Sequence, residues 1–418
     1  RTMADQFDIL IRNAQLRGLP DERFDIGVAG GKVAARDKKV SGGAAIEIDA
    51  KGNLVTESFV NTHLHLCKVY TLQMMDDEAM KAYHGSDKRM GKAMTAIELA
   101  MRVKENYDEK WIIKNVRKAI ALSALYGGTH VRALADVDTK ARLEGVKALI
   151  KAREEFKGIV DIQVVAFAQD GVVREPGAAE LVRESMKLGA DVAGGIPWIE
   201  YTDADIAEHV KIIFDIAEEF DADVSMLADD AGDPGLRSIE LMALETIKRK
   251  RFGRSLAHHV RAMAFYPKPY FQKLSALLKK AQMGVVSDPH TGPLVAPVQE
   301  LLEEGNLVCL GQDDISDAYY PYGRNNMLEV AFLASHLLWM TTRPEMETLY
   351  EMITTKAAEC IGIHDFKLKV GAPANLVVLD VPNVLEALRY HEAPAYVVSH
   401  GKLVDVEKMK AIVQTSEW

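Results

Sequence analysis

Short apolar runs alternate with amphipathic stretches through the middle of the chain, from residue 55 to about residue 363. Uninterrupted apolar runs are typical of parallel strands that are buried on both faces. The stretches between them have apolar residues at helical spacing, and the pair Thr202-Asp203 is a typical helix start. The predicted strands are Leu54–His63, Thr129–Ala135, Asp161–Gln169, Val192–Ile196, Asp223–Ala228, Ser255–His259, Gly284–Asp288 and Leu307–Asp313.

Eight strands that alternate with helices predict an α/β fold, specifically a (β/α)8 TIM barrel. Periodicity does not report whether the sheet closes on itself. A doubly wound open sheet is therefore the alternative at this point.

The two ends of the chain have a different pattern, in which short strands are separated by glycine turns such as Gly30-Gly31 and His400-Gly401. Because both ends are rich in strands, we expect them to form one small β-sandwich domain together. The predicted organisation is a β-domain from residues 1–56 and 366–418, and a catalytic barrel from residues 57–365.

Composition narrows the class of protein. The chain has 418 residues and a net charge of −10, so no nucleic-acid partner is expected. We find no apolar run of about 18 residues and no signal-peptide pattern, so no membrane partner is predicted. Three widely spaced cysteines, Cys67, Cys309 and Cys360, fit a reducing compartment, and we predict a cytoplasmic location. Barrels of this kind often assemble, so a homo-oligomer is expected.

The segment 59–68 contains the first candidate chemistry, because His63 and His65 follow an apolar run. Residues i and i+2 of a strand point to the same face, so both imidazoles can aim at one point. The barrel prediction places this point at the carboxyl end of a strand, where barrel enzymes have their active sites. The pair predicts half of a metal site. Paired core or surface histidines are the structural alternative.

Other polar residues also stand at or just after predicted strand ends. Each has a structural alternative: a helix cap for Asp313, a structural histidine for His259, loop residues for Gln169 and His290, solvated acids for Asp229 and Asp230, and a salt bridge for Lys68. The concentration of such residues at strand ends supports the barrel and the site together.

The order of these elements resembles the amidohydrolase superfamily, in its cytosine deaminase-like and N-isopropylammelide isopropylaminohydrolase-like branch. The resemblance covers nearly the whole chain. It rests on residues 46–55, Thr62-His63-Leu64-His65, residues 164–169, Ala257-His258-His259, residues 311–317 and residues 370–379.

The resemblance implies one divalent metal ion, zinc by preference with iron or manganese as alternatives. Similar enzymes hold it with two histidines after strand 1, a histidine after strand 5 and an aspartate after strand 8. The two histidines after strand 1 are here His63 and His65, and the aspartate after strand 8 is Asp313. Asp313 would take a proton from the metal-activated water. His259 would polarise the attacked centre, and Gln169 would bind the edge of a small heterocyclic substrate.

Two positions depart from the family pattern. If Asp230 matches the acidic proton shuttle, Leu227 stands where the strand-5 histidine is expected, and Leu134 stands where relatives have another histidine. Leucine does not bind metal, so we predict that Asp229 supplies the missing ligand. The other readings are that Asp230 does so, that His259 moves into the coordination shell, or that the site binds metal weakly.

The sequence therefore predicts a hydrolase of C–N bonds other than peptide bonds, acting on a pyrimidine- or triazine-like amidine or amide. The predicted catalytic residues are Asp313, His259 and Asp230, and the predicted metal ligands are His63, His65, Asp313 and Asp229. The predicted substrate-binding residues are Gln169, Lys68, Leu134, Leu227 and His290. The alternative is a metal-poor member with non-hydrolytic chemistry or ligand binding only.

Overall fold

The computed structural model describes residues 5–75, 77 and 91–415. Its strands form a central sheet and two smaller sheets. In chain order the strands are β1 (Asp5–Leu16), β2 (Leu19–Ala29), β3 (Lys32–Asp37), β4 (Gly43–Asp49), β5 (Val55–Glu57), β6 (Phe59–Leu64), β7 (Gly128–Asp136), β8 (Asp161–Phe167), β9 (Val192–Gly195), β10 (Asp223–Ala228), β11 (Ser255–His259), β12 (Gly284–Ser287), β13 (Val308–Leu310), β14 (Leu376–Val378), β15 (Tyr396–Ser399) and β16 (Lys402–Leu403).

Helices follow the strands of the central sheet, as the sequence predicts. Thr202 caps one of them, since its hydroxyl accepts a hydrogen bond from Asp205 N at 3.1 Å. The helices of the described residues are α1 (Gly91–Lys104), α2 (Glu109–Leu125), α3 (Glu144–Glu155), α4 (Ala178–Leu188), α5 (Asp203–Glu219), α6 (Ser238–Lys248), α7 (Lys268–Ala281), α8 (Val298–Glu303), α9 (Met327–Leu337), α10 (Arg343–Glu351), α11 (Thr355–Cys360), α12 (Val384–Tyr390) and α13 (Val406–Thr415).

The central sheet is a closed barrel. Strands β6 to β13 pair in parallel in chain order, and the first and last are joined by backbone hydrogen bonds. Asp313 N donates to His63 O at 2.9 Å, and His65 N donates to Asp313 O at 2.8 Å. Closure confirms the (β/α)8 barrel and excludes the doubly wound alternative.

A buried asparagine supports this closure. Asn61 Oδ1 accepts hydrogen bonds from the backbone nitrogens of His63 and Gln312, at 3.2 and 3.1 Å. Its amide nitrogen donates to Asn325 Oδ1 at 2.9 Å. One side chain thus satisfies buried groups from both edges of the barrel, where an unpaired group would cost about 1–3 kcal/mol.

The two smaller sheets come from both ends of the chain. One has the order β3-β2-β1-β4 and the other the order β16-β15-β14-β5. Apolar residues of the two sheets share one core, in which Ile9 and Ile26 meet Leu376 and Val398. Residues 1–4 and 416–418 of the predicted β-domain lie outside the described residues.

The predicted strand Leu54–His63 is in fact two strands that separate at Ser58. Strand β5 pairs with β14 in the terminal sheet, whereas β6 begins the barrel. The continuous apolar pattern does not reveal this division, because both pieces are buried. Among the described residues, no helix is long and apolar enough to cross a membrane.

Candidate active site

Two imidazoles and one carboxylate converge where the barrel closes. His63 Nε2 and His65 Nε2 lie 3.2 Å apart. Asp313 Oδ1 lies 2.9 Å from the first and 3.3 Å from the second. All three side chains are buried, and Asp313 Oδ1 and His65 Nδ1 have no hydrogen-bond partner among the described residues. The structure therefore brings together three of the four predicted ligands.

This donor set fits a divalent transition metal. Zinc bonds of about 2.0–2.1 Å place tetrahedral ligands about 3.3 Å apart, close to the separations found here. Burial, followed by the charge of Lys68, lowers the pKa of His65 to about 3, so this imidazole is neutral and can act as a ligand. Two imidazoles with one carboxylate suit zinc, iron or manganese.

Asp288 and His259 form a second layer of polar groups beside the three ligands. Asp288 Oδ2 lies 3.2 Å from His63 Nδ1 and 3.3 Å from His259 Nδ1. His259 Nε2 faces Asp313 Oδ2 at 3.6 Å. One donor atom from each of these four residues falls within a 4.8 Å cluster. Asp288 thus connects the two histidines through the nitrogens that point away from Asp313.

The pKa values of the two carboxyl groups shift in opposite directions, although burial raises both. Burial raises the pKa of Asp288 to about 8. It acts in the same direction on Asp313, but the charges of His259 and His63 outweigh it, and the pKa of Asp313 lies well below its usual value. Asp313 is therefore the anion of the cluster.

Backbone strain accompanies the site. Asp229, His259 and Asp313 each stand at the end of a barrel strand with positive φ, at 50°, 70° and 70°. Non-glycine residues seldom adopt this conformation, and it is often found at functional sites. His259 and Asp313, which share this conformation, bring their side chains to 3.6 Å from each other.

The conformation of His259 changes which way the two histidines of β11 face. Strict alternation predicts that His258 faces away from the site when His259 faces it. Because His259 leaves the extended conformation, both rings approach the site, and His258 Nδ1 lies 2.7 Å from His63 Nδ1. His258 Nε2 lies 3.0 Å from Ser225 Oγ.

Asp229, a predicted metal ligand, is turned towards the start of α6. Its Oδ1 accepts hydrogen bonds from Ser238 N and Oγ at 2.8 and 2.7 Å, and its Oδ2 accepts one from Ile239 N at 2.9 Å. These donors lie at the start of α6, so the carboxylate caps that helix. A helix-capping aspartate and a metal-binding aspartate look the same in the sequence, because both follow a strand. Only the fold distinguishes the two roles.

Asp230 is held by an arginine at the edge of the cluster. Its Oδ1 pairs with Arg261, and its Oδ2 lies 3.8 Å from His259 Nε2. Arg261 also donates to Thr291 Oγ1 at 2.7 Å, and that hydroxyl donates to Asp313 Oδ2 at 2.7 Å. Asp230 and Asp313 are thus linked through one arginine and one hydroxyl.

A polar wall lies on one side of the ligands. The amide oxygen of Gln169 accepts a hydrogen bond from Lys68, and its nitrogen donates to Tyr319 Oη at 2.7 Å. Lys68 Nζ also lies 3.1 Å from Asp136 Oδ2. The Tyr319 ring stacks on His65 with centroids 6.3 Å apart. The structure therefore places the predicted pair Lys68 and Gln169 on the side of the site where Tyr319 stacks on His65.

Buried charges behind this wall were not predicted from the sequence. Lys104 Nζ lies 2.8 Å from both Asp138 Oδ2 and Asp170 Oδ1, and 3.3 Å from Asp136 Oδ2. Burial lowers the pKa of Lys104 and the three carboxylates raise it, with a net rise, so the lysine is charged. Its position late in α1 gave no sign of contact with two strand ends.

An apolar surface lies at the same end of the barrel. Leu134 and Leu227 belong to one buried cluster with Phe167, Trp198 and Ile97. Phe167 connects this surface to the ligands, because its ring lies 5.5 Å from that of His65. The leucines at the two departures from the family pattern therefore share one apolar region.

His290 is buried beside the polar groups at the end of β12. Its ring stacks on Tyr320 at a centroid distance of 5.0 Å, and its Nδ1 lies 2.8 Å from Gln312 Nε2. Burial lowers the pKa of His290. Its predicted contact with substrate stays a prediction.

The family model described as amidohydrolase family matches residues 47–405, which is most of the chain. This chain belongs to the amidohydrolase family. It is an amidohydrolase-type enzyme that hydrolyses C–N bonds other than peptide bonds.

Individual relatives agree with the family assignment. This amidohydrolase is 31% identical over 404 residues to N-isopropylammelide isopropyl amidohydrolase of Pseudomonas sp. strain ADP, covering 96% of this chain and 98% of the relative. The structure of 5-methylcytosine deaminase from Klebsiella pneumoniae superposes with a TM-score of 0.86 at 28% identity, covering 95% of this chain and 98% of that one. N-isopropylammelide isopropylaminohydrolase from Burkholderia multivorans gives 0.83 at 25% identity, covering 95% and 97%.

We predict that Gly311→Ala weakens metal binding by this amidohydrolase. A Cβ at Gly311 would lie 2.6 Å from His63 Cβ, so the histidine would have to move. Displacing a ligand should lower zinc affinity by about 10- to 100-fold, the range found when groups that orient ligands are changed. Competition with a fluorescent zinc chelator measures this.

The matched control for Gly311→Ala is Gly232→Ala. A Cβ at Gly232 would meet its neighbours at 3.4 Å or more, which is ordinary contact. Equal zinc affinity of the two variants would contradict the view that His63 is held in place by close packing against Gly311.

Proposed function

We propose that this enzyme removes an exocyclic amino or alkylamino group from a small pyrimidine- or triazine-like ring. Water replaces the nitrogen on the ring carbon, and ammonia or an amine leaves. The observation that carries the proposal is the convergence of His63, His65 and Asp313 within 2.9–3.3 Å in a buried site. Relatives whose names specify an aminohydrolase and a deaminase support this choice of substrate class.

His63, His65 and Asp313 would hold the divalent ion, zinc by preference with iron or manganese as alternatives. The ion would supply Lewis-acid activation of water at neutral pH. The orphaned Oδ1 of Asp313 and the two facing Nε2 atoms support this assignment, because such groups are costly to bury without a shared proton or cation.

Asp313 is the proposed base. Its low pKa keeps it ionised, and its Oδ2 is oriented by the Thr291 hydroxyl. It can accept a proton from the attacking water and pass this proton to the leaving nitrogen. Burial excludes bulk water from this transfer.

His259 is the proposed donor to the substrate. Asp288 lies against its Nδ1, so its Nε2 is turned towards Asp313 and Asp230. A carboxyl group placed against one nitrogen of an imidazole can set the tautomer and the direction of the other. We therefore assign Asp288 a positioning role, and Asp230 remains the predicted acid through its contact with His259.

Recognition of the substrate divides between two surfaces. The amide of Gln169 and the ammonium of Lys68 are hydrogen-bonded to each other. When substrate binds, both groups could instead form hydrogen bonds with the polar edge of the heterocycle. Leu134 and Leu227 form apolar surface. Their side chains cannot accept a hydrogen bond from an unsubstituted amino group of the substrate. This favours a ring with an alkyl substituent.

Leu227 also bears on the rival interpretation, in which the protein binds little metal and does not hydrolyse its ligand. Membership of the family and the hydrolase relatives do not favour that alternative. Asp288 and His259 lie in one donor cluster with His63 and Asp313, so the site keeps its polar groups although Leu227 replaces the expected imidazole. The buried free cysteines support the predicted cytoplasmic location, and the homo-oligomer stays a prediction.

We predict that the zinc-restored enzyme releases ammonia or an amine from a panel of aminopyrimidines and N-alkylaminotriazines. Asp313→Asn should lower kcat by roughly a hundredfold or more, because a base and a ligand are lost together. It should also lose one equivalent of zinc, while the exposed control Asp380→Asn keeps both properties. Coupled detection of ammonia or amine, with elemental analysis, measures the two effects. No release from any member of the panel by metal-restored protein would refute the proposed function.

We predict that Leu227→Ala changes selectivity more than overall activity. Shortening the apolar wall should reduce kcat/KM for an N-isopropyl substrate relative to its unsubstituted analogue by about tenfold or more. The control is Leu188→Ala, on the exposed end of α4. An unchanged ratio in the Leu227 variant would show that this leucine does not contact the substituent.

A further inference from the structure

A second cluster of histidine and carboxylate lies at the opposite end of the barrel. His130 and Asp161 stand at the amino ends of β7 and β8 and are paired in register. His400 comes from the turn between β15 and β16 of the terminal sheet. Because the candidate active site lies at the carboxyl ends of the strands, this cluster is separate from it.

The three side chains meet at one carboxylate oxygen. Asp161 Oδ2 lies 2.9 Å from His400 Nε2 and 3.4 Å from His130 Nε2. One donor atom from each residue falls within a 4.8 Å cluster. Zinc bonds of about 2.0–2.2 Å place tetrahedral ligands about 3.3 Å apart, and the two distances from Asp161 Oδ2 lie near that value.

We propose that His130, Asp161 and His400 form a second divalent-cation site, of the zinc class, that ties the terminal sheet to the barrel. Two imidazoles and a carboxylate are a common zinc donor set, and here they come from three different strands or turns. The ion would crosslink elements that are far apart in the sequence.

Supporting groups already orient two of the ligands. His130 Nδ1 lies 2.8 Å from Thr129 Oγ1, which lies 2.6 Å from Ser58 Oγ. An imidazole whose other nitrogen is held in this way presents Nε2 in a fixed direction. The backbone nitrogen of His400 donates to Asn375 Oδ1 at 2.8 Å, which fixes the turn.

Open space adjoins the three ligands. They line a cavity of about 300 Å³ together with His364, Asp365 and other residues. A zinc ion with three protein ligands has a fourth position for water or a further ligand. The cavity provides room for it, and the cluster is half-buried on the Asp161 and His400 side, so ions can enter.

An ion pair is the competing account of the same geometry. The hydrogen bond with Asp161 raises the pKa of His400, as expected if the imidazole is protonated there. A protonated imidazole has no lone pair for a metal, so zinc and the proton would compete. Counting bound zinc at neutral pH distinguishes the two accounts.

The experiment counts zinc on four versions of the full chain after chelation and dialysis against Zn²⁺ at pH 7.5. We expect about two equivalents on the wild type, about one on His400→Asn, about one on Asp313→Asn, and none on the double variant. Asparagine keeps the left-handed backbone of residue 400, where φ is 50°. Asp161→Asn is a second variant that should lose the same equivalent as His400→Asn.

The exposed His336→Asn is the matched control and should keep both equivalents, and His400→Asn should retain the hydrolytic activity of the wild type. A thermal midpoint that rises with Zn²⁺ in Asp313→Asn, but not in the double variant, would add support independent of activity. The second site would be overturned if Asp313→Asn bound no zinc. It would also be overturned if His400→Asn bound as much zinc as the wild type. A wild type with one equivalent of zinc, which His400→Asn loses and Asp313→Asn keeps, would overturn only the proposed function.

Discussion

The backbone hydrogen bonds that close the barrel also assemble the candidate site. Asp313 exchanges main-chain hydrogen bonds with His63 and His65, so the three side chains that converge are adjacent across the seam between the first and last strands. Asn61 satisfies further buried groups from both edges of that seam. A loss of register there would unpair buried backbone and scatter the ligands at once. Fold stability and the geometry of the candidate metal site therefore depend on the same few contacts.

The replacement of an expected histidine by Leu227 changes the character of the site without removing it. The buried cluster around Leu134 and Leu227 supplies apolar surface where relatives are expected to be polar. Asp288 brings a carboxyl group against the remaining histidines instead. The site is therefore more apolar on one side, and the chain remains a hydrolase of C–N bonds.

The sequence predicts the barrel and the place of the site well, because buried parallel strands appear as uninterrupted apolar runs and active groups follow their carboxyl ends. It does not predict the direction of individual side chains at those ends. His258 approaches His63 because His259 adopts positive φ, a property that alternation does not anticipate. Asp229 caps a helix although its position suits a ligand. Lys104 reaches the site from a helix, through contacts distant in sequence.

His63, His65 and Asp313 are proposed to bind one ion together. Zinc K-edge absorption spectroscopy on the His400→Asn protein, loaded with one equivalent, tests it most directly because the active site would be the occupied one. We predict two imidazole nitrogens and carboxylate oxygen at about 2.0–2.2 Å. A spectrum of oxygen neighbours without the multiple scattering of imidazole would contradict the account.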